Sequence, residues 1–179
     1  LKEILYHMVP TRLSDNIVAD LYSKVIINAC ITSTGVLSGL YLGQILRIRK
    51  ARRIFIAIIR EALAVADAMN IRVPPYGGRL DYYGLMSRAG ALADFKRHLM
   101  IRLIGLKYRR FKSSTLQALE RGKPTEVDYF NGFIAHKGAE LGVDTPVNSR
   151  ITQMVKEIES KTRRIDPANF DDPALSAHL

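Results

Sequence analysis

The sequence predicts an all-α fold, and three observations support that prediction. Apolar residues recur at helical spacing along most of the 179 residues. No stretch sustains the alternation of apolar and polar residues that is typical of strands. Hydrophobic residues make up 47% of the chain and charged residues 25%, as in ordinary globular proteins. We therefore expect a multi-helix domain built around one hydrophobic core.

Local signals at the ends of the periodic stretches define the first predicted helices. Ser14 or Asp15 can cap the first helix, and Asn70 can end the second. The segment 73–78, with the sequence VPPYGG, is a loop by local rules. The predicted helices cover about residues 14–40, 44–69, 80–87, 92–111 with a continuation over 113–119, 127–141 and 148–162.

Similar signals define the second half of the chain. The segment 122–124, with the sequence GKP, breaks one helix, Gly142 can end the next, and Asn148 can cap the last. The tail 166–179 is expected to be loosely ordered, so that residues 1–165 form the helical domain. Helix 92–111 is predicted to be amphipathic, and its apolar side is formed by Leu99, Leu103, Leu106 and Phe111.

The composition limits the classes of partner and site. The formal net charge of +10 favours anionic partners, but its densest cluster, over 47–53, is interpreted as a solvated helix face. Aromatic interleaving is sparse, so nucleic acid is not expected as a partner. The single cysteine, Cys30, lies among apolar residues, so we expect it to fill the core. One cysteine allows no internal disulfide and provides no metal-ligand spacing, which is compatible with a cytoplasmic location.

Neither a membrane span nor a secretory leader is predicted. The uncharged stretch 25–46 is long enough to span a bilayer, but its amide, hydroxyl and glycine residues favour a buried helix of a soluble domain. The chain begins Leu1-Lys2-Glu3, without a basic and apolar leader pattern and without an initiator methionine. We therefore expect it to be a piece of a longer protein.

A line of polar residues runs along the first predicted helix. Lys24, Asn28 and Thr32 follow one another at four-residue spacing, among apolar neighbours. Polar groups in such a setting need hydrogen-bond partners. Two interpretations remain open from spacing alone, a hydrogen-bond network between helices and a ligand site. Gly35 and Gly39 share one face of the same helix and allow another helix to approach closely.

A second candidate site lies in the segment 113–132, which reads SSTLQALERGKPTEVDYFNG. Thr125 is predicted to cap the helix that follows, with Asp128 completing a capping-box-like arrangement. Glu126 then lies in the first turn, beside exposed backbone N–H groups that a ligand could also reach. The alternative is that Glu126 and Asp128 only complement the helix dipole.

Three motifs in this chain resemble the C-terminal domain of the ketopantoate reductases (2-dehydropantoate 2-reductases). The resemblance runs from about residue 15 to residue 159. The matching positions are Asp15-Asn16-Ile17 and the helix 24–30; Ser113, Ser114, Gln117, Thr125, Glu126, Asp128, Asn131 and Gly132; and Gly142-Val143 with Thr145-Pro146-Val147-Asn148.

The resemblance implies a fold and an activity. The fold would resemble the C-terminal domain of 6-phosphogluconate dehydrogenase. The activity would be the NADPH-dependent reduction of 2-dehydropantoate to pantoate in pantothenate biosynthesis. Lys24 would be the general acid and Glu126 its partner, while Asn28, Thr32 and Ser114 would lie at substrate-binding positions. No metal ligand is implied. A possible homodimer is compatible with the long apolar helices.

The family's NADPH-binding Rossmann domain is expected to precede this chain. No G-x-G-x-x-G motif occurs in the sequence, and Gly77-Gly78 follows two prolines and no strand. The chain alone is therefore expected to be inactive, because the substrate would lie in a cleft between two domains.

Two departures from the family pattern leave alternatives open. Thr32 and Leu42 stand where the family carries asparagines, and this favours a reductase of another small 2-oxo acid as one alternative. The other alternative is a non-enzymatic basic helical module that binds nucleic acid or an acidic partner.

Overall fold

The computed structural model describes residues 13–87 and 89–179, and this part of the chain is all-α, as predicted. It contains no named strand, only an isolated bridge between Tyr76 and Leu80. Two 3₁₀ helices cover Val127–Tyr129 and Pro167–Asp171. The α-helices are α1 (Ile17–Ser38), α2 (Leu42–Ile45), α3 (Arg49–Ala68), α4 (Tyr82–Met86), α5 (Ala91–Lys107), α6 (Ser114–Glu120), α7 (Asn131–Leu141), α8 (Pro146–Glu159) and α9 (Pro173–Ser176).

Helix α1 is the central element of the fold. It begins after Asn16, whose side chain accepts a hydrogen bond from the Ala19 N–H, and ends at Gly39 in the left-handed conformation. It contacts α3, α6, α8 and both 3₁₀ helices. Cys30 is fully buried in it, as expected, and burial raises the pKa of the Cys30 thiol.

Helix α1 can bury its uncharged polar residues because four of their hydroxyl groups have hydrogen-bond partners within the helix. Each donates a hydrogen bond to the backbone carbonyl four residues earlier, so none needs water. These donors are Thr32, Ser33, Thr34 and Ser38. Across residues 13–87 and 89–179, no helix is both long and apolar enough to cross a membrane.

The predicted helix 44–69 is divided into two helices. The chain leaves the helical conformation between α2 and α3, where Ile48 is extended. Arg52 Nη1 donates to the carbonyls of Leu46 and Arg47 at 2.8 Å, which satisfies acceptors at the end of α2. The predicted stop at Asn70 is confirmed, since α3 ends at Ala68, Met69 is its C-cap, and Asn70 has a φ of 56°.

The apolar side predicted for helix 92–111 is largely exposed. Leu99, Leu103, Leu106 and Phe111 are between 45% and 55% exposed. The buried residues of α5 are instead Arg97, Ile101 and Gly105. A Cβ atom on Gly105 would lie only 2.7 Å from Leu46 Cβ, so the glycine side of α5 packs against α2. Close packing of the backbone decides which face is buried.

The prediction of a flexible tail over 166–179 is corrected by the structure. Phe170 and Leu175 are 1% and 0% exposed, and α9 packs against α8. The Asp172 carboxylate lies 2.7 Å from Arg150 Nη2 and 3.3 Å from Arg163 Nη2. The tail therefore belongs to the helical domain. The predicted domain also included residues 1–12, which lie outside the described residues.

Candidate functional site

The fold places the two predicted polar segments on neighbouring elements. Helix α1 carries the polar line, and it contacts both α6 and the 3₁₀ helix that follows Glu126. The approach to α6 is close, because a Cβ on Gly35 would lie 2.7 Å from Ser113 Cβ. This confirms the prediction that Gly35 admits another helix. Gly39 instead ends α1.

The three residues of the polar line differ in exposure. Lys24 is exposed, Asn28 is half-buried, and Thr32 is 8% exposed. The Thr32 hydroxyl donates to the Asn28 carbonyl at 2.7 Å, so its proton is used within α1. Along this line the Thr32 hydroxyl is buried, the Asn28 amide is half-buried and the Lys24 ammonium group is exposed.

Lys24 and Glu126 are both exposed, and the structure forms no ion pair between them. Neither side chain has a hydrogen-bond or ion-pair partner within residues 13–87 and 89–179. Glu126 is the residue directly before the 3₁₀ helix and lies outside any α-helical turn, contrary to the prediction. Both charged groups are thus available to a ligand.

The other acidic groups around Glu126 are already engaged. Asp128 forms an ion pair with Lys156 at 2.5 Å, and Glu159 accepts a hydrogen bond from the Thr125 N–H at 2.6 Å. The Thr125 hydroxyl accepts from the Val127 N–H at 3.3 Å. The predicted capping box between Thr125 and Asp128 is therefore wrong, because Glu159 takes the place of Asp128. Within residues 113–132, Glu126 is the carboxylate whose two oxygens have no hydrogen-bond or ion-pair partner among the described residues.

The two serines at the start of α6 have different environments. Ser113 is 3% exposed, and its hydroxyl caps α6 by accepting from the Leu116 N–H at 3.3 Å. Ser114 is exposed and is the first residue of the helix. Ser113 therefore stabilises the contact with α1, and Ser114 is the serine that a substrate can reach.

Sequence reasoning missed a buried polar network beside these elements. Asn148 was predicted to cap the last helix, but α8 already begins at Pro146 and Asn148 is fully buried in its first turn. Its side chain donates to Glu61 at 2.7 Å and accepts from Asn131 Nδ2 at 2.9 Å. Burial raises the pKa of Glu61, although the hydrogen bonds that it accepts act to lower that pKa. The signal available was the position of Glu61 in α3, a carboxylate three residues after the apolar Ile58 and four residues before the apolar Val65.

The described residues offer no metal site and no dinucleotide loop. No group of three or more His, Cys, Asp or Glu side chains in this part of the chain could hold a metal ion. Gly77 and Gly78 have φ angles of 59° and 70° and form a tight turn closed by the Tyr76–Leu80 bridge. This turn lacks the strand and the long helix that flank a phosphate-binding loop.

Comparison with protein families identifies the domain. The sequence profile described as ketopantoate reductase PanE/ApbA C terminal matches residues 16–159. The chain belongs to this family. The profile covers Lys24, Asn28, Thr32, Ser114 and Glu126, and it ends at the last residue of α8.

Three 2-dehydropantoate 2-reductases illustrate the similarity. The protein of Archaeoglobus fulgidus is 40% identical over 42% of this chain and 25% of its own length. Those of Pyrobaculum aerophilum and Aquifex aeolicus are 28% and 26% identical over 83% and 84% of this chain, and 46% and 44% of their own lengths. The chain therefore spans less than half the length of these curated relatives.

Solved structures share the fold. A PanE/ApbA family ketopantoate reductase from Ralstonia eutropha JMP134 superposes with a TM-score of 0.68 and 29% identity, over 87% of this chain and 46% of that chain. D-Mandelate dehydrogenase in complex with NADH has the same TM-score of 0.68 at 22% identity, over 90% of this chain and 49% of that chain. The second similarity concerns the fold alone.

Proposed function

We propose that this chain is the substrate-binding half of a two-domain reductase that converts 2-dehydropantoate to pantoate with NADPH. The observation that carries the proposal is the adjacency of α1, which holds Lys24 and Asn28, to α6 and to the segment that holds Glu126. The family match and the availability of both charged side chains support it. The Rossmann domain that would bind the cofactor is proposed to precede residue 1, and the chain alone is proposed to be inactive.

The proposed chemistry assigns the proton to Lys24. NADPH, when bound, would supply the hydride to the keto carbon, and negative charge would then build up on the carbonyl oxygen. An ammonium group placed at that oxygen stabilises the charge and provides the proton of the new hydroxyl. Lys24 suits this role because no described carboxylate neutralises it. Glu126 would orient Lys24 or accept a hydrogen bond from a substrate hydroxyl.

The remaining proposed contacts come from Asn28, Thr32 and Ser114. Asn28 is half-buried, so its side-chain amide can bind substrate while its backbone carbonyl accepts a hydrogen bond from the Thr32 hydroxyl. Ser114 offers an exposed hydroxyl at the start of α6. A charged 2-oxo acid would thus meet one ammonium group and a small set of neutral donors, which is usual for specific small-molecule sites.

A second candidate function is the reduction of a different small 2-oxo acid. Two observations favour it. Thr32 is shorter than the asparagine of the family pattern, and its hydroxyl proton is already used by the Asn28 carbonyl. Leu42 is 4% exposed within the core, so it offers a substrate neither a donor nor an acceptor. The site would then have fewer amide contacts and more room.

The test is a steady-state assay of the full-length protein, with its own N-terminal domain, NADPH and 2-dehydropantoate. Lys24→Ala and Glu126→Gln are expected to lower kcat by about 100-fold or more, the usual contribution of a positioned acid. Lys123→Ala and Asp144→Asn are matched controls, because both residues are exposed and charged and neither belongs to the proposed site. The controls are expected to keep full activity.

Three outcomes separate the candidates. Turnover that is lost in the site variants and kept in the controls supports the first proposal. Activity restricted to another 2-oxo acid, with the same response to Lys24→Ala, supports the second candidate. Inactivity of the intact protein on all 2-oxo acids contradicts both. Two further proposals have tests of their own: size measurement on the same samples tests a homodimer, and cell fractionation tests a cytoplasmic location.

A further inference from the structure

A cleft of about 690 Å³ lies between the first turns of α3 and the exposed helix α5. Its volume is within the range of small-molecule sites. None of its lining residues belongs to the proposed reductase site on α1, α6 and the segment before the first 3₁₀ helix. The cleft is lined by Arg49, Arg52, Arg53, Ala91, Asp94, Phe95, His98, Leu99 and Arg102.

The cleft concentrates positive charge with little to neutralise it. Four of its lining residues are arginines, and its one carboxylate, Asp94, forms an ion pair with Arg97, which is 8% exposed beside the cleft. Arg49 and Arg102 have no hydrogen-bond or ion-pair partner in the described chain. Like charges held close together cost free energy, and a bound anion removes that cost.

Arg52 is held in place at the centre of this cluster. Its Nη1 donates to the carbonyls of Leu46 and Arg47, and its Nε donates to His98 Nδ1 at 3.2 Å. Burial, followed by the neighbouring Arg102 and Arg49, lowers the pKa of the Arg52 guanidinium. Because an oriented guanidinium loses little entropy on binding, Arg52 is suited to a multivalent oxyanion.

The first turn of α3 strengthens the same preference. This helix has 20 residues, and no side chain caps its N-terminus. Its free N–H groups and its dipole favour negative charge there, in the turn that carries Arg49, Arg52 and Arg53. Two independent features, arginine charge and a helix N-terminus, therefore favour an anion in one cleft.

The wall of the cleft formed by α5 is only partly polar. Beside Asp94, His98 and Arg102 it carries the apolar residues Ala91, Phe95 and Leu99, and Phe95 is 65% exposed. An inorganic anion would leave this wall in contact with water. A molecule that combines a phosphate group with an aromatic or apolar part would cover both walls.

We propose that this cleft is a binding site for a phosphorylated small molecule, with the phosphates on the arginines and an apolar or aromatic group against Phe95. The site is separate from the proposed reductase chemistry and does not depend on it. It also gives the arginine cluster, interpreted from the sequence as a solvated helix face, a specific role.

The test uses calorimetric titration of the 179-residue chain with inorganic pyrophosphate and with ATP as probes. Both probes are expected to bind, and Arg49→Gln and Arg102→Gln are each expected to weaken binding by about 10-fold or more. Arg79→Gln is the matched control, since Arg79 is an exposed arginine outside the cleft. Phe95→Ser is expected to weaken ATP binding and leave pyrophosphate binding unchanged.

Other results would overturn the proposal. Absence of binding at millimolar probe would do so, and so would an equal loss of affinity in Arg79→Gln. Tighter binding of duplex DNA than of ATP would also contradict the proposal if Arg49→Gln, Arg102→Gln and Arg79→Gln weakened it equally. That pattern would indicate a diffuse basic surface. Thermal unfolding of each variant checks that the exposed arginine substitutions preserve the fold. Lys24→Ala is expected to bind both probes normally, so failure of the reductase proposal would leave this test valid.

Discussion

One oxygen of Glu61 accepts two hydrogen bonds from Asn148, from its backbone N–H at 2.9 Å and from its side-chain amide at 2.7 Å. The other oxygen accepts the Val147 N–H at 2.8 Å. A carboxylate on α3 therefore satisfies the first turn of α8, where Thr145 provides no side-chain cap. The contact joins two helices that are distant in sequence.

Loss of this contact is expected to destabilise the fold. Glu61→Ala leaves two backbone donors and a buried amide without an acceptor, which costs about 2–4 kcal/mol of unfolding free energy. Urea unfolding measures the change. Asp67→Ala on the same helix is the control, because Asp67 is exposed and bonds only the Tyr83 hydroxyl among the contacts described. Equal effects of the two substitutions would contradict the capping role.

The Asp172 ion pairs are expected to make stability depend on pH in the acid range. The hydrogen bond from Arg150 is the main cause that lowers the pKa of Asp172 from 3.8 to about 2. A depressed carboxyl pKa stabilises the fold above pH 4, and the contribution is lost as the pH falls from 3.8 to 2. Its size is about 2 kcal/mol, because each pKa unit corresponds to about 1.4 kcal/mol.

Asp172→Asn is expected to remove this contribution at neutral pH and to flatten the stability curve below pH 4. Denaturant unfolding at a series of pH values provides the measurement. Asp171→Asn is the matched neighbour, since Asp171 is 59% exposed and pairs with Lys50 at the surface. If the two variants show the same pH dependence, the tail is not anchored through Asp172.

Two apolar positions on α5 are expected to respond in opposite ways to truncation. Ile101 is 4% exposed and Leu103 is 55% exposed. Ile101→Ala is expected to cost about 2–4 kcal/mol of unfolding free energy, and Leu103→Ala less than about 0.5 kcal/mol. Thermal and urea unfolding distinguish them. A larger loss for Leu103→Ala would mean that the side of α5 that carries Leu103, and not the side that carries Ile101, is the buried one.

The close approach of α1 and α6 is expected to depend on Gly35. A methyl group there would lie 2.7 Å from Ser113 Cβ, so Gly35→Ala forces the helices apart at about 1–3 kcal/mol of stability. In the full-length protein the displaced Ser114 is expected to raise KM more than it lowers kcat. Adding Ser113→Gly removes the opposing Cβ and is expected to restore most of both losses. Failure of that rescue would show that the loss does not arise from the Cβ contact with Ser113, and helix propensity would not explain it either, because alanine favours a helix more than glycine does.

Local signals were sufficient for several helix ends and for the family. Gly142 ends α7 with a φ of 68°, and the loop 73–78 is present as predicted. Such features depend on a few neighbouring residues, which the sequence displays directly. The motifs around Lys24 and Glu126 likewise resemble the ketopantoate reductase family, and the profile match over residues 16–159 confirms this resemblance.

Other parts of the candidate site were beyond the reach of local patterns. The predicted Thr125–Asp128 capping box was wrong because the carboxylate of Glu159, from α8, accepts the hydrogen bond from the Thr125 N–H. Asn148 lies in the core because Glu61, from α3, supplies an acceptor for its amide. In both cases a distant residue competes with the local partner, and spacing along the chain carries no information about it.

The sequence by itself determined that this protein is all-α, where most of its helices lie and which family it belongs to, because helical periodicity and caps are short-range properties. Only the tertiary structure decided which face of α5 is buried, that the tail packs against α8, and that four arginines share a cleft with Phe95. The physical reason is that burial and close approach depend on the shape of the opposing surface, as Leu46 against Gly105 illustrates.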